Sequence, residues 1–538
     1  MKKLFVFLII CVIGISGYAQ KKSVEDYSYE VSSPYKVFDA RNKFYLSKNN
    51  EAIALKFDRA NVMIQKFSID KPSLIKEKRY EAFFPKNYSV ETILELNNKY
   101  YFFFSSWDGD MEKEQMFSVE IDFAAGEFVG APKLMLQVEG KVTGSYTSPF
   151  SIGDKFNLIA SQDKKSLLIK YTKKSLIKDK SQYAAIVGLY KYDGDLNKIS
   201  GNEITMPYKQ IMMKDLDYML DNAGNIYVLT KVFHDNTEEN RKEGERMPNY
   251  HAELFVIRSG STNIAISKLD NKNKFITKLV FVGTDKDYQL CAGYYNNGSQ
   301  QDESSDTSFI EGVVSFKIKP DGVIYDHVLH EIPLEVITQY ENKVIRKEKE
   351  ESKKEWGSVV IGLIKLNDIV LDTDGDLLLV GEQQYYSRPY GNGNATYKYD
   401  NIIVSKIKAN GELAWMKKIP KLQYSSHGKG GMSYKYIKGN ENHYFVFLDD
   451  EKNLNPIPDQ EPEIYSDSAK KDCRLMVARL DDHDGSLSKK MVLDMQAVNN
   501  YELEQFAVNR VFCASDALFM FEAYKNKKED VMVKVMLN

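Results

Sequence analysis

Runs of four to eight Val, Ile, Leu, Tyr and Phe residues, broken by Asp, Asn, Gly and Lys, fill the chain from about residue 38 to its end. Short apolar runs bounded by turn-forming residues predict strands and not helices. The punctuation recurs. Asp221-Asn222-Ala223-Gly224-Asn225 precedes the run 226–232, and Asp372-Thr373-Asp374-Gly375-Asp376 precedes 377–383. A second class follows a strand: Asp193-Gly194, Asp321-Gly322, Asn410-Gly411 and Asp484-Gly485. Asp-Gly and Asn-Gly mark tight hairpins because such turns need residues that tolerate positive φ.

Aligned on these turns, the chain resolves into units of four strands, a to d. Strand b is very apolar, a variable loop follows it, and c and d are joined by a Gly turn. The clearest copy places a at 364–372, b at 377–386, c at 400–409 and d at 412–420. Other b/c pairs are 100–107 with 116–122, and 156–162 with 184–192. Four-stranded units repeated around an axis predict an all-β fold, a single β-propeller. The units fall at 38–82, 83–138, 139–208, 209–271, 272–331, 356–420, 421–496 and 497–538, which makes about eight blades. The first and fourth are weak, so seven blades is the alternative. The last unit lacks a strand d, and the N-terminal segment 27–37 is expected to supply it, sparing the sheet an open edge. No Pro/Gly/Ser-rich boundary divides the units, so residues 20–538 read as one domain.

The units resemble bacterial β-propeller repeats of the D-x-x-G-x-hydrophobic type, most clearly at 221–230 and 372–381. The segment Gly411-Glu412-Leu413-Ala414-Trp415 is similar to the G-x-x-x-W ending of quinoprotein-type propeller repeats. Those proteins repeat the Trp in nearly every blade, whereas this chain has only Trp107, Trp356 and Trp415. The resemblance therefore implies a fold, and no cofactor or catalytic residue comes with it.

Residues 1–19 change the compartment. Lys2 and Lys3 precede an apolar stretch that ends at Gly17-Tyr18-Ala19, the pattern of a signal peptide cleaved after Ala19. The mature chain is expected outside the cytoplasm, in the periplasm or at the cell surface. No later run is long enough for a transmembrane segment. Net charge is −3, with Lys+Arg 73 against Asp+Glu 76, so nothing favours nucleic acid. After cleavage three cysteines remain, Cys291, Cys473 and Cys513. That is too few for a disulfide framework, and they read as small buried hydrophobes.

Candidate sites follow from loop length. The a–b and c–d turns are short, while the b–c loops swell at 234–250, 296–308, 387–400 and 450–471. The segment 333–355, with Leu334, Ile337, Tyr340, Val344 and Ile345 as an apolar stripe, predicts one helical insertion decorating the same face. Long loops on a rigid scaffold carry binding functions. Tyr385, Tyr386, Tyr390, Tyr397 and Tyr399 surround a Gly/Asn-rich stretch and offer adaptable contacts. Trp107, beside Asp108 and Asp110, is a further candidate for stacking on sugar. Asp372, Asp374 and Asp376 read as a turn and not as a calcium loop. His327 and His330 lie on opposite faces of a strand, no metal-ligating motif is present, and the seven histidines form no triad. The reading is an exported, non-catalytic binding or scaffold module for an envelope protein or glycan, leaning away from an enzyme. The alternative is a glycan hydrolase or lyase whose carboxylates the sequence does not identify.

Overall fold

The computed structural model describes residues 22–24, 27–59, 61–148, 151–153, 155–242, 245–298, 308–387, 395–426, 430–466, 473–498, 502–504 and 506–537. Residues 1–19, read above as a signal peptide, and Tyr390 lie outside them. The chain is nearly all-β, built of successive antiparallel sheets of the β-propeller kind. Sheet one comprises Asn42–Lys48, Glu51–Asp58, Asn61–Ser68 and Ser73–Glu81. Sheet two comprises Ser89–Leu96, Lys99–Asp108, Lys113–Asp122 and Glu127–Glu139. Sheet three has Asn157–Ala160, Ser166–Thr172, Ala184–Asp193 and Lys198–Lys209. Sheet four has Met213–Leu220, Ile226–Phe233, Tyr250–Ile257 and Ile264–Leu269. Sheet five has Phe275–Val282, Gln289–Asn296, Gly312–Ile318 and Ile324–Glu331. Sheet six is built on Ile361–Leu371, Leu377–Ser387, Thr396–Ile407 and Leu413–Ile419. Sheet seven has Lys435–Lys438, Asn442–Asp450, Cys473–Asp481 and Leu487–Asp494. In sheet eight, Val511–Ser515, Leu518–Asn526 and Glu529–Leu537 are joined by Tyr27–Val31, in the register Tyr27↔Leu537 to Val31↔Val533.

The core explains why the apolar runs are continuous and not alternating. Each sheet is buried on both faces, so successive residues of one strand enter different clusters. Phe102 and Phe104 pack with Ile53 and Phe57 of sheet one, while Tyr101 and Phe103 pack with Leu167 and Ile169 of sheet three. The same holds for each consecutive pair of sheets. A further cluster unites Phe512, Met520 and Met532 of sheet eight with Ala52, Ala54 and Phe67 of sheet one.

Three details differ from the sequence reading. In sheet three, 156–162 is not strand b: Asn157–Ala160 is the first strand and Ser166–Thr172 the second. Their turn holds Lys164 at φ 56° and contains no glycine to betray it. The insertion is two helices, α1 (Leu334–Thr338) and α2 (Lys343–Trp356), broken where Tyr340 takes φ 61° and Asn342 caps α2 through the Val344 and Ile345 amides. Nor is the first half decoration, because Val336 and Ile337 of α1 enter the core between sheets five and six. Of the cysteines, Cys291 is buried as expected, but Cys513 belongs to an exposed position. No helix among the described residues is long and apolar enough to cross a membrane.

Candidate functional site

Short turns and long loops segregate. On the turn side neighbouring sheets are knitted together: Lys191 Nζ donates to Gly224 O and His330 Nε2 contacts Gly411 O, at 2.9 and 2.8 Å. On the other side the long loops touch in succession. Lys180 pairs with Glu238 at 2.9 Å, Arg241 donates to Gly298 O, and Arg246 lies over the Trp356 ring. Arg346 pairs with Asp459 and Asn342 donates to Glu461, carrying the contacts to the loop of sheet seven. The belt therefore runs from the loop of sheet three to that of sheet seven.

Sheet six extends into this belt. Beyond its ladder, Thr396–Ile407 pairs with Gln423–Ser425, which pairs in parallel with Tyr465–Ser466. Direct pairing places Tyr385, Lys398, Tyr424 and Ser466 in one row across four strands, hence on one face. Tyr385 and Tyr424 are exposed there, and exposed Ile464 lies two residues before Ser466. Tyr386 packs on Tyr397 with ring centroids 4.9 Å apart. Tyr399 lies on the side opposite Tyr385, half-buried, and burial raises its hydroxyl to about 12. The base beneath is rigid. Glu382 and Lys421 are fully buried and paired at 2.8 Å, and Glu382 also accepts from Ser433 Oγ and Gln384 Nε2. Burial raises Asp400, in the same knot, to about 6 despite Lys421 and Lys398 nearby. A cavity of about 200 Å³ opens on the same side between Tyr340, Pro420, Asn453, Ile457 and Glu461.

Of the residues singled out in the sequence, Tyr386 and Tyr397 thus come together, with half-buried Tyr399 on their side of the ladder; Tyr385 lies on the other face and Trp107 stands apart. Trp107 is the penultimate residue of the second strand of sheet two, with Lys141 Nζ 5.4 Å from its ring. Missed by sequence were Tyr424 and Ile464, whose exposure depends on a small strand pairing that no periodicity announces.

A catalytic centre would require acids converging on open space. A cavity of about 370 Å³ is lined by the first strands of sheets two, three and four, with Glu91, Lys170, Asp215, Asp217 and Tyr218 on its wall. Bulges at Glu91, Leu216, Thr277 and Asn367 re-aim side chains along the first strands of sheets two, four, five and six. In sheets four and six the residue after the bulge is an aspartate. Burial raises the pKa of both Asp217 and Asp368. Yet Asp217 accepts from the Phe281 amide of sheet five at 2.7 Å, and Asp368 from Tyr434 OH at 2.8 Å. Both acids are struts to the next sheet. Their signal was in the sequence as a repeated Lys-x-x-Asp-x-x-Leu-Asp, at 214–221 and 365–372.

Asp372, His443 and Asp482 offer ligand atoms within 4.8 Å of one another. However, Lys438 already bonds Asp372, and Lys406 bonds Asp482 at 2.6 Å. Two ammonium groups neutralise the two carboxylates, and the set ties the turns of sheet six to sheet seven. The Asp372–Asp376 segment itself is a tight turn, closed by the Gly375 amide on Asp372 O with Gly375 at φ 92°.

No protein-family model matches the chain, and no curated protein matches it in sequence. Solved structures with a similar chain path include a prolyl endopeptidase, at 10% identity and TM-score 0.39 over 92% of this chain. The chain spans about half of that protein, 54% of its length. A polysaccharide lyase matches at 10% identity and TM-score 0.37, covering 92% of this chain and 90% of the lyase. The β-propeller domain of the trilobed protease from Pyrococcus furiosus matches at 11% identity and TM-score 0.34, covering 86% of this chain and 98% of the domain. At such scores none of these transfers an activity.

Proposed function

We propose that the chain is an exported, non-catalytic propeller of eight blades, closed by its N-terminal strand, that binds an envelope protein through its long-loop face. One observation carries the reading. Eleven of the eighteen exposed large apolar side chains among the described residues lie on that side: Met111, Leu176, Ile177, Met247, Val344, Trp356, Tyr385, Tyr386, Tyr424, Ile457 and Ile464. Apolar groups gathered on one side of a rigid scaffold are what a partner's burial requires. The acids that would argue for catalysis are instead bonded to neighbouring sheets.

The test is cross-linked pull-down from the native envelope with the mature chain and a Tyr385→Ser, Tyr424→Ser, Ile464→Ser variant. A stoichiometric protein captured by wild type and lost from the variant is the expected result. Equal capture by both chains, or turnover in a glycan-hydrolysis screen, would refute the proposal.

A further inference from the structure

Two histidines distant in sequence meet in sheet four. His234 follows its second strand and His251 opens its third, where Val232 pairs with His251 and Phe233 with Tyr250. The His234 amide bonds Asn249 O at 3.0 Å, which fixes the backbone between the two rings. His234 Nε2 and His251 Nδ1 lie 3.3 Å apart. The rings are 21° from parallel with centroids 5.4 Å apart, so the two nitrogens face each other edge to edge.

The second nitrogen of His251 is committed. Nε2 lies 2.8 Å from Glu253 Oε1, and Glu253 is fully buried and also accepts from Tyr208 OH at 3.1 Å. His251 and Glu253 are two apart on one strand and so share a face. The carboxylate places the ring proton on Nε2, an assignment made from this hydrogen bond. That leaves Nδ1 as a lone pair, which without metal accepts a hydrogen bond from His234 Nε2. Carboxylate–histidine pairs of this kind orient and strengthen metal-binding imidazoles.

The spacing suits a metal. Tetrahedral zinc bound at roughly 2.0–2.1 Å holds two imidazole nitrogens about 3.3–3.4 Å apart. We propose that His234 and His251 form a binding site for a late first-row divalent metal, Zn²⁺ or a neighbour, with Glu253 as the carboxylate that positions His251. Water fills the remaining coordination positions, since Asp235 is committed to Thr237 and Asn249. The site would anchor the start of the loop of sheet four, the loop that contacts those of sheets three and five.

Titration of the metal-free mature chain with Zn²⁺ alone, followed by calorimetry and by Co²⁺ absorption, tests the assignment. One saturable equivalent is expected, unaffected by excess Mg²⁺ or Ca²⁺, with Cu²⁺ tightest in the series. His234→Ala, an exposed position whose loss leaves the fold intact by circular dichroism, should abolish it. Glu253→Gln should weaken it about 10–100-fold. Absence of saturable binding, undiminished binding by His234→Ala, or wild-type affinity in a folded Glu253→Gln would overturn the proposal.

Discussion

Glu522 joins three parts of the chain that are remote in sequence. Its fully buried carboxylate receives Lys56 and Lys43 of sheet one, Tyr45 OH at 2.8 Å, and Tyr35 OH at 2.9 Å from the N-terminal segment. Glu522→Gln keeps the shape and removes the charge. Lys56, itself fully buried, is then left with Asp530 Oδ2 at 3.7 Å as its remaining counter-charge. Breaking a buried pair from one side costs about 3–5 kcal/mol. At roughly 2.1 cal/mol/K per residue over the 519 residues after position 19 (538 less 19), the unfolding entropy is about 1.1 kcal/mol/K. A loss of about 4 kcal/mol then lowers Tm by about 4 °C if the sheets melt as one unit. Calorimetry of Glu522→Gln, Lys56→Met and the double variant measures it. Removing both charges should restore part of what either single change loses, because Lys56 and Glu522 no longer leave each other unpaired, while Lys43 and Asp530 still lose a partner. A single-variant shift below about 1 °C, or a double variant equal to the sum of the singles, would refute the reasoning. Acid adds a second reading. Burial works against Glu522, but Lys56 and Lys43 outweigh it and hold the pKa at about 2. Its contribution should be complete above about pH 4.5 and fade as pH falls towards 2.

Asp400 should behave in the opposite sense. With its folded pKa raised by burial to about 6, it favours folding below about pH 4 and opposes it once pH passes 6. Asp400→Asn should therefore raise Tm at pH 8, by at most about 3 kcal/mol of stability, and leave it unchanged at pH 4. Ile337→Ala on α1 should cost about 2–4 kcal/mol in chemical denaturation, as a buried aliphatic does. Replacing α2 by a Gly/Ser linker should leave the denaturation midpoint nearly unchanged, since it buries no side chain. Gly293→Ala, beside the bulge of sheet five, would put a Cβ 1.9 Å from Lys278 O and should destabilise by about 3 kcal/mol in the same assay.

What the sequence disclosed depended on how each turn is made. The turns at Asp221–Asn225 and Asp372–Asp376 announce themselves by glycine at positive φ. The hairpins at Asn49-Asn50, Asn97-Asn98 and Lys527-Lys528 reach the same conformation without glycine and give no such mark. The strand order of sheet three was lost at one such turn, at Lys164. The tyrosines were legible as a composition, but their direction was not. Tyr385 and Tyr399 occupy opposite sides of an extended ladder, whose outer strand Gln423–Ser425 lies 24 or more residues away in sequence. The histidine pair was hidden for a related reason: His234 and His251 are separated by a loop whose length carries no information about where its ends meet.

The pairing of Tyr27–Val31 with Glu529–Leu537 sets an order of events during synthesis. The ribosome makes the first of these strands some 510 residues before its partner, a wait of roughly 25–100 s at 5–20 residues per second. For that interval the strand has only the short Lys22–Val24 beside it, and the edge that Glu529–Leu537 will cover stays open. A nascent chain held unfolded, or passed elsewhere before it can pair wrongly, is spared that exposure, so handling by chaperones during translation bears directly on the yield of folded molecules.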